Sequence, residues 1–317
     1  MKISLPQPFN LKHTLECGQA FRWRLVEGWY FAAVRGQAIK CRQVGGAGNI
    51  GGELEFFTAP EPDNAELIRD YFRFDDDLPA ILREIDKDDY IHGAIEKYKG
   101  LRLLRQEPWE CLISYICSAA SSVRKIGQDV DRLSAAFGWE LCIGGYATHS
   151  FPAPEALAGG RTMEICKCGI GFRSGYIHEA AKAVASGRLV LENAKYDLSS
   201  LCQYQRRTII AFCVLDSLRR KPYEDAKREL LEYKGIGEKI ADCVLLFSLD
   251  KLESFPVDRW IRRAMQGNYA ECRDASDRKI RAFAAKHFGR YAGYAQEYIY
   301  QYVRGTNQQK RHYIVRR

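Results

Sequence analysis

A lysine two residues past a Gly-Ile-Gly turn, and an aspartate further along the chain, are the side chains best placed to do chemistry. In YKGIGEKIADC, Tyr233 to Cys243, Lys239 falls where a helix should begin. The helix dipole is positive there and disfavours a cation by a few tenths to about 1 kcal/mol, so a purely structural lysine belongs at the other end. A lysine with an ordinary pKa of ~10.4 is neutral in only about one molecule in a few thousand at pH 7. Helix dipole, burial and apolar neighbours are what lower such a pKa and free the lone pair. The neutral amine can then attack a sugar carbon directly, or form a Schiff base with it after base loss. In ESFPVDRWIRRAM, Pro256 should stop the preceding chain and Asp258 should cap a helix running through Met265. One carboxylate oxygen can hold the helix amides while the other faces a pocket. There it would stabilise a developing oxocarbenium ion or relay a proton from Lys239.

The elements that position this pair are helical. YEDAKRELLEY and EKIADCVLLFSL have apolar residues at helical spacing, which leaves KGIG as a tight hairpin between two helices. Gly235 and Gly237 permit positive φ and leave backbone amides uncovered, and such amides at a helix N-terminus form an anion site. Glycine is also the usual way to end a helix, so the flanking lysine and aspartate decide between the two readings. The first sixty residues, including FRWRLVEGWYFAAVRGQAIKCRQVGG, are rich in aromatic and β-branched residues with Gly turns, which predicts an antiparallel sheet. From NAELIRDYF onward the period becomes helical, through PAILREI, ECLISYICSAA, IGQDVDRLSAAFG and YIHEAAKAVASG, and helices are expected to the end. The fold class is therefore α+β. Residues 1–100 form an antiparallel sheet domain with trailing helices, and 101–317 a helical region holding the helix-hairpin-helix. No linker, low-complexity tract or internal repeat interrupts the chain.

A chain of 317 residues, 46% of them apolar, is long enough for two or three packed units. Its net charge of +8, with clusters at Arg219-Arg220-Lys221, Arg262-Arg263, Lys310-Arg311 and Arg316-Arg317, suits a polyanionic partner, nucleic acid before membrane. The eleven cysteines lie mostly in apolar runs such as ECLISYIC and AFCVL, which predicts reduced, buried thiols and no disulfide framework. Cys166 and Cys168 have no second pair to complete a zinc site, and Cys272, the last cysteine, stands alone where an iron–sulfur centre would need four. No metal is expected. MKISLPQPFNLKH has no apolar signal core, and no uncharged run reaches membrane length, so a soluble intracellular protein is expected.

GIGEKIADC followed by FPVD resembles the helix-hairpin-helix Gly/Pro-Asp signature of DNA glycosylases, and more closely that of the 8-oxoguanine DNA glycosylase family. CGQAFRW at 17–23, GLRLLRQEPWECLISYICS at 100–118, GIGFRSGYI at 169–177 and YAGYAQ at 291–296 resemble the same family in order and spacing, so the likeness spans nearly the whole chain. The resemblance implies two helical domains after the sheet, with the active site at their junction. It implies Lys239 as nucleophile and Asp258 as acidic partner. Oxidation at C8 turns guanine N7 from acceptor to N–H donor and leaves the Watson–Crick edge unchanged, so one acceptor separates damaged from normal guanine. The resemblance gives that task to the Gly18 carbonyl. It puts Gln296 on the Watson–Crick edge, Cys243 and Tyr300 on opposite faces of the extruded base, and Phe247 and Pro256 beside it. A flipped base leaves a hole and an orphaned partner; Phe172 would be the wedge and Arg173 the partner contact. Gly235, Ile236 and Gly237 would grip a phosphate through their amides, with room for a monovalent cation shared by their carbonyls.

The implied protein is a monomeric bifunctional glycosylase and lyase acting on double-stranded DNA that contains oxidised guanine, and it requires no cofactor. Two departures stand out. Ala119-Ala120-Ser121-Ser122 and then Lys125 replace an asparagine-rich stretch and an arginine that engage the opposing cytosine in eukaryotic members. Trp260 replaces a phosphate-contacting histidine. An alkylated-base glycosylase of the same superfamily would lack the hairpin lysine. A non-catalytic helix-hairpin-helix module would have no reason to pair Lys239 with Asp258.

Overall fold

The computed structural model describes residues 1–6, 8–46, 50–186 and 217–315, the last stretch with side chains up to 306. AFCVL and Arg316-Arg317 lie outside the described residues, as do the side chains of Lys310-Arg311. The N-terminal part contains β1 (Lys2–Ser4), α1 (Leu11–Glu16), β2 (Arg24–Val26), β3 (Trp29–Val34), β4 (Gln37–Val44) and β5 (Glu53–Ala59). The strands form one antiparallel sheet in the order β1-β5-β4-β3-β2. Its buried face carries Ile39, Cys41, Leu54 and Phe56, while Glu53 and Glu55 alternate outward on β5. The inner face packs on Leu67, Ile68 and Tyr71 of α2 (Ala65–Tyr71).

The structure departs from the sequence reading of this part at α1. Asn10 caps a short helix by accepting from the His13 amide at 2.9 Å, and that local bond outweighs the β-propensity around it. CGQAF therefore follows a helix as a series of bends, outside the strands of the sheet.

The remaining elements are α3 (Leu78–Ile85), α4 (Asp89–Lys97), α5 (Pro108–Cys117), α6 (Val123–Phe137), β6 (Glu140–Ile143), β7 (Tyr146–His149), α7 (Pro154–Gly159), α8 (Thr162–Ile165), α9 (Ser174–Ala185), α10 (Tyr223–Leu231), α11 (Glu238–Ser248), α12 (Arg259–Asn268), α13 (Asp277–Phe288) and α14 (Ala292–Val315). The hairpin β6–β7 breaks the expected run of helices. It turns at Gly144-Gly145, where both residues have positive φ, and leans on the sheet by stacking Tyr146 on Phe31 at 4.6 Å. Its strands are too short for their alternation to be read between two helices.

Helix α5 and, beyond its first turn, helix α11 are buried nearly throughout, in one hydrophobic cluster that also takes in α3, α4 and α14. An ion cluster just past α11 fastens the two parts together. Asp250 receives Arg73 at 2.6 Å, Arg105 at 3.0 Å and also Arg219. Burial would raise its pKa, but the three guanidiniums outweigh burial and hold it at about 2. Among the described residues, no helix is long and apolar enough to cross a membrane.

Candidate active site

The N-terminus of α11, the C-terminus of α5, the N-terminus of α12 and one face of α14 open onto a single cleft. Lys239 stands in the first turn of α11, half-buried, and its Nζ donates to Ser118 Oγ at 2.9 Å. The Ser118 hydroxyl donates in turn to the Tyr115 carbonyl at 2.6 Å, so toward the lysine it acts as an acceptor. The amine also lies 5.0 Å from the centre of the Tyr115 ring. Asp258 caps α12 as the sequence predicts, with Oδ1 accepting from the amides of Trp260 and Ile261 at 2.8 Å each. Among the described residues, Oδ2 makes no hydrogen bond. Both side chains line the cleft, with no salt bridge between them: Ser118, not Asp258, holds the free amine.

Gly18, Cys243, Phe247, Pro256, Gln296 and Tyr300 line the same cleft, so the residues expected around an extruded base come together. Cys243 is 3% exposed, and desolvation pushes its thiol up to about 12, which keeps it neutral and effectively apolar. The Phe247 ring lies parallel to Tyr115 at 5.6 Å and forms part of the apolar floor. Gly18 has φ +100, and a Cβ there would lie 2.5 Å from Arg304 Nη1. The Arg304 guanidinium donates to the Cys17 carbonyl and sits 5.4 Å from the Tyr300 ring centre, and the residue lines the cleft.

The hairpin forms where the sequence places it, but its two glycines differ. Gly235 has φ +92, and a Cβ there would come within 2.4 Å of Tyr176 Cγ. Gly237 is extended, φ −98, with open space where its Cβ would be, so the expected positive φ holds at Gly235 alone. As the N-cap of α11, Gly237 brings no side chain to the first-turn amides, leaving them for an anion. The Ile236 amide is already bonded to the Tyr233 carbonyl at 3.0 Å and its side chain is buried, so Ile236 anchors the hairpin and its amide is not free for a phosphate. We expect Gly235→Ala to weaken DNA binding at least ~10-fold, because relieving the Tyr176 clash must shift the hairpin; Gly237→Ala should cost less than ~3-fold. Equilibrium titration of a duplex against both variants measures this.

The expected DNA-contact residues divide. Phe172 has its ring in solvent, 67% exposed, beside Arg173, which lines the cleft. Arg173 itself is buried, with Nε donating to the Ile170 carbonyl at 3.0 Å and Nη1 to the carbonyls of Cys117 and Ala119. It thereby satisfies the C-terminal end of α5. Lys125 lines the cleft too, but its Nζ is held by Asp129 and by the Gly169 carbonyl at 3.0 Å. Tyr115, Ser118, Glu297 and Arg304 were not singled out from the sequence. The only signal was a charged residue, Glu297, inside the aromatic helical run YAQEYIYQYV.

The family profile described as "8-oxoguanine DNA glycosylase, N-terminal domain" matches residues 2–112. A probable N-glycosylase/DNA lyase of Methanothermobacter thermautotrophicus is 28% identical over 319 residues, covering 93% of this chain and 94% of its own length. The N-glycosylase/DNA lyase of Saccharomyces cerevisiae is 29% identical, covering 92% and 82%. The solved 8-oxoguanine glycosylase/lyase of Clostridium acetobutylicum, in complex with double-stranded DNA containing cytosine opposite 8-oxoG, superposes with a TM-score of 0.81 at 26% identity over 97% of this chain and 98% of that one. A 3-methyladenine DNA glycosylase from Archaeoglobus fulgidus shares the fold at TM-score 0.74 and 20% identity, over 96% of this chain and 98% of that one. A lysine and an aspartate facing one cleft behind a helix-hairpin-helix, the N-terminal profile and relatives that run nearly end to end with it all agree: the chain is similar over nearly its whole length to the 8-oxoguanine DNA glycosylase family and is a DNA glycosylase with lyase activity.

Proposed function

We propose that this enzyme excises 8-oxoguanine from duplex DNA and then cleaves the abasic strand. The observation that carries the proposal is the Lys239 amine, held by Ser118 in the same cleft as the unpaired Oδ2 of Asp258 and the apolar base seat of Cys243, Phe247 and Tyr300. The Lys239 nitrogen attacks C1′, the bond from C1′ to the base N9 breaks, and its electron pair leaves with the base, which is protonated. Asp258 offsets the positive charge that builds on the sugar ring while that bond breaks. Loss of a proton from nitrogen and opening of the sugar ring give the Schiff base. Abstraction of a C2′ proton then expels the 3′-phosphate by β-elimination. The Gly18 carbonyl takes the N7–H of the damaged base and Gln296 its Watson–Crick edge, Phe172 fills the vacated stack, and the first-turn amides of α11 hold a phosphate.

No redox cofactor enters these steps. A monovalent cation at the hairpin would be held by main-chain carbonyls, since Gly235 and Gly237 bring no side-chain ligand; such an ion would reinforce the hold on a phosphate. The protein acts as a monomer on bent DNA. The test is excision from duplexes carrying 8-oxoguanine opposite each of the four bases, against guanine controls. With Ala119 to Ser122 bringing no asparagine and Lys125 tied to Asp129, rates opposite cytosine and adenine should agree within about tenfold. A preference for cytosine of a hundredfold or more would refute this relaxed reading, and no release of 8-oxoguanine from any duplex would refute the substrate.

A further inference from the structure

The base seat contains an acid that the reaction above does not use. Glu297 lines the cleft at 2% exposure, and its Oε1 is fully buried without a hydrogen-bond partner. It follows Gln296, whose own Oε1 is also buried and unpartnered, and its carboxyl lies near Cys17, the residue before Gly18, whose thiol donates to the Thr14 carbonyl at 3.2 Å. Two neighbouring residues that line one cleft thus each carry a buried, unsatisfied oxygen. A satisfied core would not leave both, because each costs about 1–3 kcal/mol.

We propose that Glu297 is a specificity residue, whose neutral carboxyl donates its O–H to O6 of the extruded base and so separates guanine-derived from adenine-derived lesions. The inference rests on the 8-oxoguanine reading, in which Gly18 takes N7–H and Gln296 takes the Watson–Crick edge. Position 6 lies between N7 and N1 on a purine ring, and Glu297 neighbours both residues assigned to those atoms: it follows Gln296 in the chain and lies near Cys17, which precedes Gly18. Guanine carries a carbonyl acceptor there and adenine an amino donor. A neutral carboxyl opposite O6 finds an acceptor; opposite an amino group its O–H has none.

The surroundings favour the protonated acid. Among the described residues, no cation lies in salt-bridge contact with it, and an unpaired buried carboxylate is strongly disfavoured. The titratable or charged groups facing it are Cys17 beyond α1, Tyr115 on α5, Cys243 on α11, Asp258 at the start of α12, and Tyr300 and Arg304 on α14. Burial is the largest influence and lifts the carboxyl to about 7; Cys17 and Arg304 pull it down and Asp258 pushes it up.

The experiment compares excision of 8-oxoguanine and of 8-oxoadenine, placed in the same duplex, by the unmodified enzyme, Glu297→Ala and Glu297→Gln. Glutamine keeps an N–H donor for O6; alanine keeps none. The kcat/KM ratio of 8-oxoguanine to 8-oxoadenine should fall at least tenfold in Glu297→Ala and stay within about threefold in Glu297→Gln. In the unmodified enzyme the ratio should decline as pH rises through about 7, while in Glu297→Gln it should stay flat. Equal loss on both substrates, or an unchanged ratio in Glu297→Ala, would show a merely structural acid and overturn the proposal. If the unmodified enzyme releases no 8-oxoguanine, the parent reading fails, and this inference with it.

Discussion

Lys239→Gln should abolish borohydride trapping of the enzyme on damaged DNA and lower 8-oxoguanine excision by at least ~10³-fold, the order that loss of a covalent nucleophile produces elsewhere. Only a Schiff base is reduced to a stable link, so the covalent adduct on a denaturing gel reports the amine itself. Folding should not be the cause. Lys239 is half-buried in the first turn of α11, and glutamine can still donate to Ser118 Oγ, so unfolding free energy should shift by no more than about 0.5 kcal/mol. DNA binding should also persist, because the first-turn amides are main-chain groups. A Lys239→Gln protein that is still trapped would remove Lys239 from the chemistry and leave the cleft without a nucleophile.

Asp258 has two tasks, and its variants should separate them. Oδ1 holds the Trp260 and Ile261 amides, while Oδ2 is left for the sugar. Asparagine caps a helix about as well as aspartate but brings no charge, so Asp258→Asn should lose ~10²-fold or more in excision and little stability. Asp258→Ala should lose comparable activity and melt lower, by the ~0.5–2 kcal/mol that a missing N-cap costs. Excision rates and thermal melts on both variants test this together. Equal melting of the two, or near-normal excision by Asp258→Asn, contradicts the division of labour.

The sequence alone singled out the pair, one residue for breaking a local rule and the other for following one with an oxygen left over. A lysine in the positive first turn of a helix is disfavoured by that turn. An aspartate after proline has a structural use and one oxygen to spare. The hairpin was legible for the same reason, since two glycines between two amphipathic periods admit few other conformations. The sheet was readable from alternation, whereas α1 was not: one Asn10 side chain accepting a single amide decided it.

What the chain order could not show is which far-apart residues meet. Ser118 and Tyr115 at the end of α5 take up the Lys239 amine, although they lie more than a hundred residues before it. Arg173 and Lys125 look like free cations in the sequence, yet both are bound to backbone carbonyls in the fold. Glu297 becomes notable only once α14 packs against Cys17 and the burial of its carboxyl can be seen. Residue types and local spacing determined which groups are candidates for the chemistry, because helix dipoles, caps and turns act within a few residues. Partners, burial and proton affinity were decided by tertiary packing, because desolvation and hydrogen bonding depend on distance in space, which chain order does not encode.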